Sequence, residues 1–175
     1  MKVFETARLS LRWFNLDDAP FIKNLLNEPG WKRYIGDRGV NTDEDACGYI
    51  NQALIASYKK HGFGLFAVER KHDAVLLGMC GLLKREVLND VDIGFALLSC
   101  YEGQGYAKEA AQSILQYAAD AHGLTRIVAI TTADNHRSIG LLKSIGMSYE
   151  DTVRLSYDSE DLLLYSIELA RQEVQ

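Results

Sequence analysis

The segment from Tyr101 to Ala110 constrains the fold of this chain most. It reads Tyr-Glu-Gly-Gln-Gly-Tyr-Ala-Lys-Glu-Ala and lies between a strand-like run that ends near Leu98 and a helical pattern that continues to His122. The first N–H groups of a helix have no partner within the helix and carry partial positive charge, and glycines let the backbone approach a bulky anion. This order of strand, Gly-x-Gly loop and helix is typical of a pyrophosphate-binding loop, but a tight strand-to-helix turn without a ligand has the same pattern.

Two well-known phosphate-binding loops do not fit this segment. A Walker loop requires Gly-Lys-Ser/Thr, which is missing, and a dinucleotide fingerprint requires a small residue where Lys108 stands. The preceding strand also belongs to a hairpin-like run rather than to the first strand of a βαβ unit. Both interpretations are therefore excluded.

The rest of the chain alternates strand-like and helix-like patterns. Strands are predicted at residues 8–13, 65–68, 75–83, 91–98, 127–130, 147–155 and 162–169. Helices are predicted at residues 17–26, 43–60, 105–122 and 136–145. Gly94, inside a strand, predicts a bulge or a close approach of another chain segment. The order of elements predicts an α/β fold with a mixed sheet.

Composition excludes several classes of protein. A length of 175 residues with 47% hydrophobic residues predicts one globular domain over 1–175. The net charge of −5 argues against nucleic-acid binding. Three cysteines without a CxxC pair, and histidines without metal-ligand spacing, predict no disulfide framework and no metal site, and we expect the cysteines to be small buried side chains. Without a run of about 20 apolar residues, we expect a soluble cytoplasmic protein with no membrane partner.

The glycine segment resembles motif A of the GNAT acyltransferases, R/Q-x-x-G-x-G/A, although Glu102 replaces the usual Arg or Gln. Three further segments resemble the RimJ/RimL branch, which acetylates the N-termini of ribosomal proteins. Residues 5–12 resemble its opening E-T-x-R-L-x-L-R, residues 103–110 resemble G-x-G-Y-A-T-E-A, and residues 135–147 resemble N-x-x-S…K-x-G-F. The matches occur in the right order and span nearly the whole chain.

This resemblance implies a single GNAT domain. Its fold would be a mixed, mostly antiparallel central sheet of about seven strands flanked by about four helices, splayed at the strand before the coenzyme loop. It also implies acetyl-CoA as the acyl donor and no metal. By position, the residues that would bind the coenzyme are Phe95, Ala96 and Leu97 along the pantetheine arm, Gly103, Gln104, Gly105, Tyr106, Ala107 and Lys108 at the pyrophosphate, and Asn135 as a coenzyme or water contact.

The resemblance also implies two catalytic residues. Asp92 stands where relatives carry a strand carboxylate proposed as general base, acting directly or through water. It could equally be a solvated strand carboxylate. Ser138 matches the serine proposed to protonate the leaving thiolate, and the tyrosine acid of other branches is replaced by Leu142. Ser138 could instead only occupy the first turn of a helix that Asn135 caps.

The implied function is transfer of an acetyl group from acetyl-CoA to a primary amine by direct attack in a ternary complex. The acceptor would be a protein N-terminal α-amine or a small molecule such as a polyamine, an antibiotic or an amino acid, and the acidic balance favours a basic acceptor. Non-catalytic acyl-CoA binding and a purely structural module are the alternatives, and the oligomeric state is a monomer or a homodimer. Candidates for acceptor contacts, by location only, are Trp31, Tyr34, Arg38 and Tyr157.

Overall fold

The computed structural model describes residues 1–170. Within them, eight strands form one sheet: β1 (Lys2–Glu5), β2 (Leu9–Arg12), β3 (Leu65–Arg70), β4 (Val75–Leu83), β5 (Asp92–Leu97), β6 (Arg126–Thr131), β7 (Ser148–Val153) and β8 (Leu162–Glu168). The helices are α1 (Ala19–Leu26), α2 (Pro29–Tyr34), α3 (Asp43–Tyr49), α4 (Ala56–His61), α5 (Tyr106–His122) and α6 (His136–Ser144). None of these helices is long and apolar enough to cross a membrane.

The sheet is mixed and mostly antiparallel, which confirms the predicted fold class. Its strand order is β1-β2-β3-β4-β5-β6-β8-β7, and β5 with β6 is the parallel pair of the sheet as described. Helix α5 connects these two strands, as a parallel connection requires. The strand count exceeds the expected seven because the short, charged and largely exposed β1 has no clear alternating pattern.

The sheet opens between β5 and β6. Strand β5 pairs with β4 over six consecutive positions, from Asp92 opposite Leu83 to Leu97 opposite Gly78. It pairs with β6 at one position, Asp92 opposite Val128. Beyond Asp92 the two parallel strands diverge, which confirms the predicted splay and leaves one edge of β5 without a neighbouring strand.

Gly94 is a site of close approach and not a bulge relative to β4. The register of β4 and β5 continues without a shift through the pair of Gly81 and Gly94. A Cβ at Gly94 would lie 3.1 Å from Leu83 and 3.2 Å from Leu65. The glycine therefore leaves room for the leucine side chains packed beside it.

The predicted second helix is confirmed with an irregularity at its centre. Helices α3 and α4 are joined without a break by a π-helical stretch, Ile50–Ile55. The helix begins with a capping box made by Thr42 and Asp45, and it ends at Gly62, whose φ is 77°. Helix α2 was not predicted from the sequence, because Pro29 and Gly30 interrupt the apolar pattern there.

Helix α5 fixes the position of the glycine loop against the sheet. Its inner face consists of small and branched side chains that are 7% exposed or less: Ala110, Ala111, Ile114, Leu115 and Ala118. The alanines let the helix lie close to β2, β4 and β5, which it contacts. This confirms the helix predicted at residues 105–122.

The cysteines do not share one environment. Cys80, on β4, is buried, and burial raises the pKa of its thiol to about 12. Cys47 is half-buried and Cys100 is exposed. The expectation that all three cysteines are buried was therefore wrong for Cys47 and Cys100. Cys100 lies in the turn that leads into the glycine loop, outside the core. Cys47 lies on α3, where it is only partly covered.

Candidate active site

A cavity of about 890 Å³ occupies the opening between β5 and β6. Its walls come from α2, from β5, from the loop that precedes α5 and from the start of α6. Most of the residues predicted from the sequence to form the site line this one cavity: Asp92, Phe95, Ala96, Leu97, Gly103, Gly105, Tyr106, Ala107, Lys108, Asn135 and Ser138. Segments that lie far apart in the sequence thus meet at the splay.

The glycine loop forms the start of α5. Gly103 has a φ of 77° and Gly105 a φ of 83°, left-handed values that favour glycine. Gly105 is the N-cap residue, and no side chain caps the helix. The N–H groups of Tyr106, Ala107 and Lys108, in the first turn, precede the first i to i−4 bond, from Glu109 N to Gly105 O (3.1 Å). These donors and the open space beside Gly103 suit an anion such as a pyrophosphate.

The free edge of β5 leads toward this loop. Phe95, Ala96 and Leu97 are half-buried and line the cavity on the side where β6 has diverged. A strand edge without a neighbour presents N–H and C=O groups that an extended ligand can pair with. The edge and the anion-binding loop together suit a ligand that is extended at one end and polyanionic at the other.

Asp92 is buried at the closed end of the splay. Its residue is 1% exposed, and Oδ1 has no hydrogen-bond partner among the described residues. The Nε atom of Arg85 lies 3.3 Å from Oδ1 and 3.4 Å from Oδ2. Burial raises the pKa of Asp92 to about 6, and the positive charge of Arg85 offsets part of this rise. The predicted alternative of a solvated strand carboxylate is thus wrong.

The start of α6 brings Asn135 and Ser138 to the cavity wall. Asn135 is the N-cap residue, and its Oδ1 accepts a hydrogen bond of 3.2 Å from the backbone N of Ser138. The Oγ of Ser138 forms no hydrogen bond to the described residues and is half-buried. The capping role of Asn135 is therefore observed, and the hydroxyl of Ser138 is free to act on a ligand.

The remaining predicted residues are placed differently. Gln104 does not line the cavity; its carbonyl oxygen accepts a hydrogen bond from Arg8 (3.1 Å). Trp31 and Tyr34, on α2, and Arg38 line the cavity, whereas Tyr157 is 94% exposed and lies outside it. The acceptor candidates near the first helices are thus brought together, and the one in the final hairpin is not.

Several side chains at the cavity were not predicted from the sequence to take part in the site. Arg85 follows β4 and faces Asp92, and Tyr49 comes from the end of α3. Glu102 of the glycine loop forms an ion pair with Arg137 of α6, with 3.3 Å between Oε2 and Nη1, and both residues line the cavity. Arg85 lies outside the segments that resemble known motifs, and Arg137 occupies a variable position of the N-x-x-S segment, so only the folded arrangement identifies them.

Comparison with known proteins gives the family. Residues 8–148 match the model of the acetyltransferase (GNAT) domain. The uncharacterized N-acetyltransferase YnaD of Bacillus subtilis (strain 168) is 31% identical over 145 residues, which cover 83% of this chain and 82% of that protein.

Solved structures share the architecture. A GNAT-family acetyltransferase from Bacillus anthracis matches with a TM-score of 0.78 and 26% identity, covering 96% of this chain and 98% of that one. RimL, a ribosomal L7/L12 alpha-N-protein acetyltransferase in complex with coenzyme A, matches with a TM-score of 0.81 and 17% identity, covering 97% and 98%. At that identity the likeness to RimL shows the fold alone. With its splayed sheet, its glycine loop and this family match, the chain belongs to the GNAT family of acetyltransferases.

Proposed function

We propose that this acetyltransferase takes its acetyl group from acetyl-CoA and transfers it to a primary amine in a single step within a ternary complex. The observation that carries this proposal is the continuity of one cavity from the free edge of β5 to the glycine loop of α5. Acetyl-CoA is extended along its pantetheine arm and polyanionic at its pyrophosphate, which suits the strand edge and the glycine loop respectively. In this proposal the chain forms no covalent intermediate.

The coenzyme would be held mainly by backbone groups. Phe95, Ala96 and Leu97 would pair with the pantetheine arm, and the N–H groups at the start of α5 would bind the pyrophosphate. Lys108 lines the cavity in this first turn and adds a positive charge. Oriented backbone donors explain how a chain of net charge −5 could bind a polyanion.

Acetyl-CoA supplies the acetyl group as a thioester, and the residues of the chain would manage the protons. Asp92 would accept the proton that the amine loses as its nitrogen bonds to the carbonyl carbon. Because the short side chain of Asp92 lies buried at the closed end of the splay, we assign this transfer to a relay through one water in the cavity. Ser138 would donate a proton to the sulfur as the C–S bond breaks and would regain one from solvent, to which Asp92 would release the proton taken from the amine. The products are then the amide and coenzyme A.

The acceptor would enter from the side of α2. Trp31, Tyr34 and Arg38 line this part of the cavity and would contact the amine-bearing molecule. The fold likeness to RimL makes protein N-terminal α-amines the first class to test. Polyamines, aminoglycosides and amino acids form the rest of the panel.

Two measurements test the proposal. Isothermal titration with acetyl-CoA should show binding at micromolar concentrations, and a thiol-release assay with the acceptor panel should then show turnover. No binding at high micromolar coenzyme would refute the coenzyme assignment. Binding without turnover on any amine would instead favour an acyl-CoA-binding domain without catalytic activity.

A further inference from the structure

The opening segment that resembles E-T-x-R-L-x-L-R contacts the glycine loop directly. It comprises the end of β1, the turn at residues 6–8 and β2, and it lies about 100 residues before α5 in the sequence. Thr6 and Arg8 of this turn bind Glu109, in the first turns of α5. Neither Thr6 nor Arg8 lines the cavity, so neither has a part in the reaction as proposed above.

Both carboxylate oxygens of Glu109 are occupied by this turn. Oε1 accepts hydrogen bonds from Thr6 Oγ1 (2.7 Å) and from the backbone N of Arg8 (2.8 Å). Oε2 accepts one from Arg8 Nε (2.7 Å). Although partial burial raises the pKa of Glu109, these hydrogen bonds hold it below its usual value. The carboxylate is therefore ionised and fully used in holding the turn.

Arg8 continues from Glu109 to the glycine loop. Its Nη1 donates to the carbonyl oxygen of Gln104 (3.1 Å), and its guanidinium lies over the ring of Tyr106, 4.3 Å from the centroid. A Cβ at Gly105 would lie 3.3 Å from Nη2. One side chain thus touches three successive residues of the loop, and the lack of a side chain at Gly105 gives it the space.

We propose that Arg8 is a positioning residue for the pyrophosphate end of the coenzyme, and that Glu109 acts by holding it. We call the contacts of Thr6, Arg8 and Glu109 the brace. This inference rests on the proposed function. A planar guanidinium can bind a carboxylate, a carbonyl and an aromatic face at once, which an ammonium cannot do. Arg8 also balances the charge of Glu109, which would otherwise repel phosphate from the same helix end.

The brace predicts a selective defect. Arg8→Ala should raise the KM for acetyl-CoA about tenfold, the size expected for loss of one charge-assisted contact, and change kcat little. The same variant should turn over S-acetylpantetheine as the unmodified chain does, since this thioester has no pyrophosphate to be positioned. A general loss of structure would reduce turnover of both donors.

Three further variants sharpen the test. Arg8→Lys should stay close to Arg8→Ala, because an ammonium cannot bind the carboxylate, the carbonyl and the aromatic face at once. Full recovery of acetyl-CoA binding in Arg8→Lys would contradict the role given to the guanidinium. Glu109→Gln should raise the same KM, and adding it to Arg8→Ala should have little extra effect, because both act through one contact. Arg154→Ala, which removes an exposed ion pair with Asp161, is the matched control and should leave both donors unaffected.

The outcomes separate this inference from the proposed function. If the unmodified chain neither binds acetyl-CoA nor releases thiol, the proposed function fails. If it does both, and Arg8→Ala and Glu109→Gln leave the KM for acetyl-CoA unchanged, the brace has no positioning role. Equal losses with acetyl-CoA and S-acetylpantetheine in these soluble, folded variants would also overturn it.

Discussion

Asp92 should make the folded chain less stable as the pH rises. Its pKa is 3.8 in an unfolded reference and about 6 in the fold, where burial disfavours the charged form. The folded state therefore binds this proton more tightly than the unfolded state does. The contribution of Asp92 to stability is complete below pH 3.8 and is lost as the pH rises to 6 and above. At 1.36 kcal/mol per pKa unit, the loss is about 3 kcal/mol above pH 7.

Asp92→Asn removes this pH dependence while nearly preserving the shape of the side chain. The free energy of unfolding of the variant minus that of the unmodified chain should rise by about 2 kcal/mol between pH 4.5 and pH 7.5. Any constant cost of burying the amide cancels in this comparison of two pH values. This sign is the one expected if a carboxylate is retained for function at a cost in stability.

Urea unfolding followed by circular dichroism at the two pH values measures the difference. Both proteins should show the same m-value, which indicates that the same surface is exposed on unfolding. A difference that stays constant with pH would show that Asp92 titrates normally in the fold. Asp92 would then not be a buried base with a raised pKa.

Three further expectations follow from the site and the sheet. In a pH profile from pH 5 to pH 9, kcat/KM should fall below about pH 6 as Asp92 becomes protonated. The residual activity of Asp92→Asn should show no such fall. Ser138→Ala should lower kcat about 100-fold and leave acetyl-CoA affinity unchanged by titration, and an unaltered kcat would exclude this serine as the acid. Gly81→Ala should destabilise the chain by about 2 kcal/mol or more, because its Cβ would overlap the carbonyl oxygen of Gly64. The control Gly140→Ala, in open space on α6, should stabilise it by about 0.5–1 kcal/mol in the same thermal melts.

The long, periodic elements were predictable from the sequence because local patterns specify them. The alanine-rich face of α5 and the glycines at both its ends define that helix without tertiary information. The short β1 and α2 were not predictable, because β1 depends on pairing with β2 and α2 depends on packing against α1. The splay was expected only through the resemblance to a family, since no local pattern marks where two strands diverge.

The parts of the candidate site that the backbone forms were predictable from the sequence. The parts that depend on side chains distant in the sequence were not. Gly103 and Gly105 are recognisable in the sequence because their conformation requires glycine. The environment of Asp92 was not, because Arg85 and the surrounding core decide whether a strand carboxylate is solvated. Arg8 was noticed as part of a motif, but its target, Glu109, could not be identified across about 100 residues of sequence.

The sheet consists of two hydrogen-bonded ladders, and the pairing of Asp92 with Val128 is the one rung that joins them in the described sheet. One ladder holds β1 to β5, and the other holds β6, β8 and β7. Apart from that rung, cooperativity between them depends on the helices that pack across the gap. A ligand that pairs with β5 and contacts α6 would add a second connection. When the ligand is bound, hydrogen exchange should then slow at the backbone amides of both ladders, and not only at those of β5. Binding of the acyl donor would in this way increase the cooperativity of the whole fold.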